Sequence, residues 1–409
     1  MALEVLLGDS QVGRLELLAD GRSTRLVLRP EYRQAAHRPV LSQQFISFRP
    51  EYRQPSRMLP FFAHLLPEGA LRRIIAAQAR LDIKRDWELL SLLGQDLPGA
   101  VRLLPALDDA PVPPPPAVDV GDPSTTPTVP STPFDRWRFS LSGVQLKFSM
   151  SWLNDRLTLP AAGMDGKWIV KLGDSIHPDL PELEWSVMQW ARMAGMDIPA
   201  FRLVPLAHLQ GIDLRYTEHA GRSCFAIERF DRAEQRRIHI EDFAQVLAAD
   251  DKYQGHSHET IGNVIAKICG LDDLREYVRR LVFMILSGNA DAHLKNWSLI
   301  YPDGVRARLS PAYDQIATVA YPQYDRTLAL NFNGGKRFED ASLAAFERFA
   351  RKLKIDARVV VDWVREDVPR VLDAWRELRS SLPLAPARVA SIEQHLDLLA
   401  RTPTSIVHA

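Results

Sequence analysis

The clearest periodic signal in the chain lies between residues 272 and 288. Leu274, Tyr277, Val278, Leu281, Val282 and Ile285 recur at three- and four-residue steps, the spacing of one buried helix face. Gly288 stands where that helix should stop, because glycine takes the left-handed capping conformation without a Cβ penalty. The polar run NADAHLKN comes next, then a short strand WSLIY, a PDG turn and a second strand VRARL that leads into SPAYDQ. Upstream, KWIVKL alternates like a half-buried strand. A helix is predicted over residues 181–195, with Leu180, Leu183, Val187, Met188, Ala191 and Ala194 as its apolar stripe. Strands are expected near residues 201–204 and at SCFAIERF. From about Glu241 onward the pattern is mostly helical, with packed amphipathic helices around 340–353, 357–379 and 386–400. Before residue 107 it reads as short strands and turns, then helical spacing in GALRRIIAAQARL and DWELLSLLG. RPEYRQ occurs twice, at 29–34 and 49–54, each time after an alternating apolar run; the copies read as similar strand ends or as coincidence.

Composition divides this pattern into units. Residues 107–133 are rich in Pro, Ser, Thr and Asp and contain no aromatic residue, so they read as an extended linker or mobile loop. The chain then falls into a first unit at 1–106, a strand-rich part at 134–232 and a helical part at 233–409. With 409 residues, 46% of them hydrophobic, two or three such units can each build a core. Lys+Arg and Asp+Glu are 51 each. A chain of zero formal charge is a poor candidate for strong nucleic-acid binding by itself, since that binding rests on many phosphate-neutralising cations. Cys224 and Cys269 are too few for a disulfide framework or a cysteine-rich zinc site, and are expected to be buried thiols in a reducing compartment. The first residues lack the basic start and long apolar run of a signal peptide, and no run is long enough to span a membrane. A soluble cytoplasmic protein with no membrane contact is expected.

The order helix, polar loop, hairpin, acidic residue is that of the catalytic segment of phosphoryl-transferring kinases. There a loop Asp accepts the substrate hydroxyl proton, an Asn five positions later binds metal, and an Asp after the hairpin holds metal on the ATP phosphates. Asp291 and Asn296 have that spacing, and Asp314 stands in the third place. An Asp with an Asn five residues on arises by chance about once in a chain of this size, so the surrounding elements carry the weight. Lys171 lies in the strand WIVKL. By itself it would be an edge lysine covering apolar surface with its stem. Glu184 lies on the flank of the following helix stripe, where a carboxylate needs a cationic partner, and Lys171 is the candidate. FAIERFDR then stands where a two-lobed kinase has its adenine-binding hinge. No GxGxxG, HRD, DFG or APE motif is present, and the loop over the phosphates would have to be SLSGVQLKF, with Gly143 as its sole glycine. The pattern is that of a divergent branch.

The chain resembles the HipA family of bacterial toxin kinases over nearly its whole length. FFAHLLPEG (61–69) and GQDLPGAVRLLP (94–105) resemble that family's N-terminal domain. SLSGVQLKF (140–148) resembles its serine-bearing phosphate loop. IVKL with Lys171 and EWSVMQWARMAGMDIP from Glu184 resemble its lysine strand and helix. AIERFDR (226–232), EDFAQVL with KYQ (241–254), GNADAHLKN (288–296) and LSPAYDQ (309–315) complete the series. The resemblance implies an α+β fold: a two-lobed kinase-like body, mixed N-lobe and helical C-lobe, with an added N-terminal α/β domain. It implies ATP and Mg²⁺ as ligands. Asp291 would be the general base, Asn296 and Asp314 would hold metal, and Lys171, positioned by Glu184, would hold the phosphates. Ser142, Gly143 and Val144 would belong to the phosphate loop. Glu228 and Phe230 would meet adenine through their backbone, with Tyr313 packed on the base and His293 in a positioning role. Ser140 matches the serine that family members autophosphorylate, and Ser142 stands where the family commonly has a small residue without a hydroxyl. The implied partners are a small helix-turn-helix antitoxin (HipB-like), through which alone DNA would be reached, and an aminoacyl-tRNA synthetase as protein substrate. The N-terminal domain points to the two-component form. A kinase of the same fold acting on another protein, a lipid or a small molecule would carry the same residues. A non-catalytic binding partner or corepressor is the reading from a different class.

Overall fold

The structure is a computed structural model that describes residues 1–47, 49–106, 147–153, 156–159, 165–212, 217–218, 220–234, 236–324 and 326–408. The expected linker at 107–133, and Ser140, Ser142, Gly143 and Val144, lie outside the described residues.

The first unit is a five-stranded antiparallel sheet flanked by short helices. Strands β1 (Ala2–Leu7), β2 (Ser10–Leu17), β3 (Thr24–Leu28), β4 (Glu51–Gln54) and β5 (Val101–Pro105) take the spatial order β4-β3-β2-β1-β5. Alternation explains them: Leu3, Val5 and Leu7 of β1 and Leu26 and Leu28 of β3 are buried, with partly exposed residues between. Helices α1 (Pro30–Gln34), α2 (Pro60–Ala63), α3 (Gly69–Ala79) and α4 (Asp86–Leu93) complete the unit.

The two copies of the repeated hexapeptide are not similar strand ends; of the two readings, coincidence is the one that stands. PEYRQ at 30–34 forms α1, whereas EYRQ at 51–54 forms β4, paired to β3 with Tyr52 opposite Leu26. Both copies contain the same proline, so the difference lies in the residues beyond the hexapeptide. The first copy runs into Ala35-Ala36 and buries Tyr32, whose hydroxyl donates to Pro39 O at 2.6 Å. The second runs into Pro55, which disfavours helical backbone at Gln54, and it finds a free sheet edge.

The strand-rich part is a six-stranded sheet of order β10-β7-β6-β8-β11-β9. Its members are β6 (Lys147–Leu153), β7 (Arg156–Thr158), β8 (Trp168–Leu172), β9 (Phe201–Pro205), β10 (Leu209–Gln210) and β11 (Ser223–Glu228). Helix α5 (Leu180–Met193) covers it, burying Met188 against Phe201, Phe225 and Ile227.

The helical part is built on α8 (Leu271–Ser287), with α6 (Phe243–Val246), α7 (His258–Ile268), α9 (Leu343–Lys352), α10 (Ala357–Leu378) and α11 (Pro386–Arg401) around it. These bounds differ from the sequence expectations by three residues or fewer where both exist. Two small sheets accompany the helices: β12 (His239–Asp242) with β13 (Ser298–Tyr301) and β14 (Arg308–Leu309), and β15 (Thr327–Phe332) with β16 (Gly335–Arg337). The second hairpin strand is only two residues long, shorter than VRARL suggested. The α5 stripe also joins this core, where Trp190 packs 5.1 Å from Phe283 and 4.6 Å from Trp375. Its indole N–H donates to Val371 O at 2.7 Å. One helix thus binds the strand-rich part to the helical part.

Candidate active site

A cleft of about 790 Å³ opens between the six-stranded sheet and the helical part. Sheet register sets its roof. Lys147 of β6 stands directly opposite Lys171 of β8, and both side chains are buried. The Lys171 ammonium lies 2.5 Å from Glu184 Oε1, the partner its strand and helix positions suggested, and also ion-pairs with Asp314. Glu184 is buried on α5, so the α5–β8 packing that burial demands also sets this pair.

The floor comes from the end of α8 and the hairpin. Gly288 caps α8 at φ 69°. Thr318 then staples the loop: its hydroxyl donates to Gly288 O at 2.9 Å and accepts from Ala290 N at 2.8 Å. Asn289 Oδ1 accepts from Asp291 N at 3.0 Å. Asp291 O in turn accepts from His293 N at 2.8 Å and from the Asn296 amide at 2.9 Å. The base candidate Asp291 and the candidate metal ligand Asn296 are therefore held by one wound turn. Helix α8 also anchors the far end of the hairpin, since Asp273 accepts from Arg308 at 2.7 Å and Arg280 donates to Ser310 O at 2.8 Å. Four residues beyond Ser310, Asp314 enters the cleft in a left-handed conformation, φ 51°. Such backbone is strained for a residue with a Cβ and recurs at functional sites.

Two carboxylates compete for the Lys171 ammonium, and they settle differently. Burial alone would raise Asp314, but Lys171 and then Lys147 outweigh it and hold that carboxyl well below the usual range. Glu184 is pushed up by burial, with Asp314 adding to the push. Burial pulls Lys147 down, with Lys171 adding to the fall and Asp314 opposing it. Asp291 opens to the cleft mouth, yet desolvation by the protein around it raises its carboxyl, against a hydrogen bond from Tyr253. A raised carboxylate is the stronger proton acceptor. Burial pulls His293 down to about 3, so its ring is neutral.

At the closed end, Tyr313 is fixed by its hydroxyl to Lys295 O at 2.9 Å and to Ser298 at 2.5 Å. Its ring lies 5.6 Å from that of Phe230, beside Ile169 and Ile227. Glu228 N is committed to Ala200 O at 2.8 Å, leaving its carbonyl as the group to offer a ligand. Among the described residues no acceptor takes the Phe230 N–H. Cys224 is buried, but Cys269 is partly exposed, unlike our expectation for it, because it sits at the end of α7.

The cleft fits a magnesium nucleotide. His293 Nδ1 is buried without a hydrogen-bond partner, an orphan that a ligand could satisfy. Asp314 and Asn296 offer oxygen donors, a set that suits Mg²⁺, which keeps water and takes much of its shell from phosphate. The Lys147 and Lys171 ammoniums line the space where phosphates would lie.

Sequence reasoning assigned no role to Lys147, Tyr253, Lys295 or Glu68. Lys147 belongs to SLSGVQLKF and Tyr253 to KYQ, so their motifs were visible while their positions were not. Tyr253 donates to Asp291 Oδ1 at 3.0 Å. Glu68, from the first unit, lies 2.8 Å from Lys252 and 2.8 Å from Lys295.

Comparison with known proteins agrees with this architecture. The HipA N-terminal domain model matches residues 3–104 and the HipA-like C-terminal domain model matches residues 139–375. Y4dM of Sinorhizobium fredii, which bears a kinase name, is 39% identical over 405 residues, covering 96% of each chain. The serine/threonine-protein kinase toxin HipA of Shewanella oneidensis is 24% identical, with 98% of this chain and 95% of that one covered. Among solved structures, a chain from the Shewanella oneidensis complex of HipA, HipB and operator DNA superposes with a TM-score of 0.73 at 21% identity. That match covers 99% of this chain and 97% of that one. The kinase-like α+β fold with its added N-terminal domain is therefore shared, and the chain belongs to the HipA family.

Proposed function

We propose that this protein is an ATP- and Mg²⁺-dependent serine/threonine protein kinase, the toxin of a toxin–antitoxin pair in the bacterial cytoplasm. One observation carries the reading: a single cleft unites the Lys171–Glu184–Asp314 ion cluster with Asp291 and Asn296. When bound, ATP supplies the phosphoryl group and Mg²⁺ spreads its charge. Lys171 and Lys147 hold phosphate oxygens, and Asn296 and Asp314 hold the metal. The Glu228 carbonyl and Phe230 N–H receive the adenine edge while Tyr313 packs on its face. His293 orients groups near the phosphates. Asp291 accepts the proton of the acceptor hydroxyl and aims its oxygen. Ser140 is the autophosphorylation site; a phosphate there adds roughly two negative charges beside the nucleotide and turns the kinase off.

The acceptor is a translation component, an aminoacyl-tRNA synthetase, whose phosphorylation blocks tRNA charging and arrests growth. A HipB-like helix-turn-helix antitoxin restrains the kinase and supplies the cationic surface for DNA. The similarity to HipA from the HipA–HipB–operator complex supports that partner. We further propose units at 1–106, 134–232 and 233–409, joined at 107–133.

The test is a radiolabelled-ATP assay with Mg²⁺, comparing wild type, Asp291→Asn and Ser140→Ala against a synthetase panel. Label on one synthetase, reduced at least ~100-fold in Asp291→Asn, is expected. Self-label should vanish in Ser140→Ala. Label on a different protein, lipid or small molecule would move the acceptor class. Equal, background label in wild type and Asp291→Asn would sink the kinase reading and leave a binding module.

A further inference from the structure

The catalytic loop does not hold Asp291 alone. The Tyr253 hydroxyl donates to Asp291 Oδ1 at 3.0 Å, from the loop between α6 and α7. The Tyr253 ring stands edge-on to His293, with centroids 5.0 Å apart, and is 38% exposed at the cleft mouth. Its own segment is tied down twice. Lys252 O accepts from Leu294 N of the catalytic loop at 3.1 Å, and Asp251 Oδ1 accepts from Tyr253 N at 2.7 Å. Lys252 then reaches the first unit, where Glu68 Oε2 lies 2.8 Å from its ammonium. The other oxygen of Glu68 takes Lys295, four residues after Asp291, at 2.8 Å, and Lys295 also donates to His64 O at 3.0 Å. Lys295 is nearly fully buried, so it needs this carboxylate. Burial would raise Glu68, but Lys295 and Lys252 outweigh it and hold it down at about 2, so it is an anion.

We infer that the first unit is a working part of the acceptor site: Glu68 clamps Lys252 and Lys295 together, and that clamp holds the Tyr253 hydroxyl on one oxygen of the base. A carboxylate offers lone pairs on both oxygens. With Oδ1 occupied by Tyr253, Oδ2 is the oxygen presented to the acceptor hydroxyl, and the exposed ring walls the approach. Tyr253 is a positioning residue for the base, and Glu68 is a positioning residue for Tyr253. A partner that shifts the first unit would act on the base through this relay without touching nucleotide.

The inference rests on the kinase reading, so the experiment separates the two. Wild type, Tyr253→Phe, Glu68→Gln, Glu68→Asp and the Tyr253→Phe/Glu68→Gln double variant are compared. The readouts are steady-state phosphorylation of the synthetase found above (casein if none is found), affinity for Mg²⁺-ATP, and hydrogen exchange of residues 251–257 and 289–296. Expected is a fall in kcat of roughly 10- to 100-fold for Tyr253→Phe and Glu68→Gln, with ATP affinity nearly unchanged. Tyr253→Phe should keep its melting temperature, whereas Glu68→Gln should melt lower, because it leaves the buried Lys295 without its carboxylate. Glu68→Asp should recover part of the loss, and the double variant should be no worse than the weaker single variant, as for two members of one relay. Exchange in both segments should quicken in Glu68→Gln. Multiplicative losses in the double variant, or a Tyr253→Phe chain as active as wild type, would overturn the relay. If wild type transfers no phosphate at all, the kinase reading falls and exchange alone decides. Unchanged exchange in Glu68→Gln then ends the clamp as well.

Discussion

Glu184 and Asp314 share the ammonium of Lys171 in a buried place, and the consequences can be measured one residue at a time. Removing the cation that a buried and a half-buried carboxylate share leaves their charge uncompensated, which costs about 3 kcal/mol or more. Lys171→Met without nucleotide should therefore unfold at clearly lower denaturant, with phosphoryl transfer abolished. Glu184→Gln should be milder, because Asp314 still pairs the buried ammonium. Its loss should show mainly as weaker nucleotide binding. Equal destabilisation by both variants, read by urea titration, would mean that the ammonium is not the keystone of the cluster. At this scale the sequence was informative: a lysine in an alternating strand and a glutamate on a helix flank were enough to pair them. That Asp314 joins them, and that Lys147 stands alongside, comes from sheet register and from the left-handed backbone at Asp314, which no local pattern announces.

Helix α8 shows how an element places chemistry. Its apolar face was legible from spacing, as was its glycine stop. The structure adds why the stop matters. A Cβ on Gly288 would come within 2.5 Å of a Val319 methyl, at a φ of +69° that disfavours side chains. Gly288→Ala should destabilise the chain by about 1–3 kcal/mol. It should also lower kcat, because the Thr318 staple and the turn beyond it hold Asp291. Melting temperature and initial rate check both parts; a variant as stable and active as wild type would show that the turn tolerates displacement. The repeated RPEYRQ makes the opposite point. Identical residues form a helical turn in α1 and an edge strand in β4, so local propensity does not decide an element this short.

The three parts work as one molecule because polar groups from the first unit are buried against the other two. Arg232 donates to Gly99 O at 3.0 Å, and Gly99 N donates to Asp231 at 2.9 Å. Ser42 donates to Glu241 at 2.8 Å, and the His239 ring stacks on Tyr301 while bonding Leu41 O at 2.8 Å. Burial pulls His239 down to about 4, so the folded chain keeps it neutral while the unfolded chain protonates near 6.5. Its contribution is full above pH 6.5 and is lost as pH falls toward 4, on the order of 2 kcal/mol. Glu241, pushed up to about 7 by burial, runs the other way: its share is full below about 4.5 and is lost as pH rises through 7. Stability of His239→Gln measured against wild type over roughly pH 4–7 isolates the histidine, and the variant should lose less on acidification. Parallel curves would show that His239 does not titrate with folding. Across the whole chain, the sequence by itself determined the features that short-range periodicity and motif order encode: the principal helices and strands, and the order of Lys171, Glu184, Asp291, Asn296 and Asp314. Only the tertiary structure decided which groups from distant segments share one desolvated space. Glu68 meets Lys252 and Lys295, and Tyr253 meets Asp291, because burial forces charged and polar groups to find partners wherever the packed chain brings them together, and that pairing leaves no periodic trace.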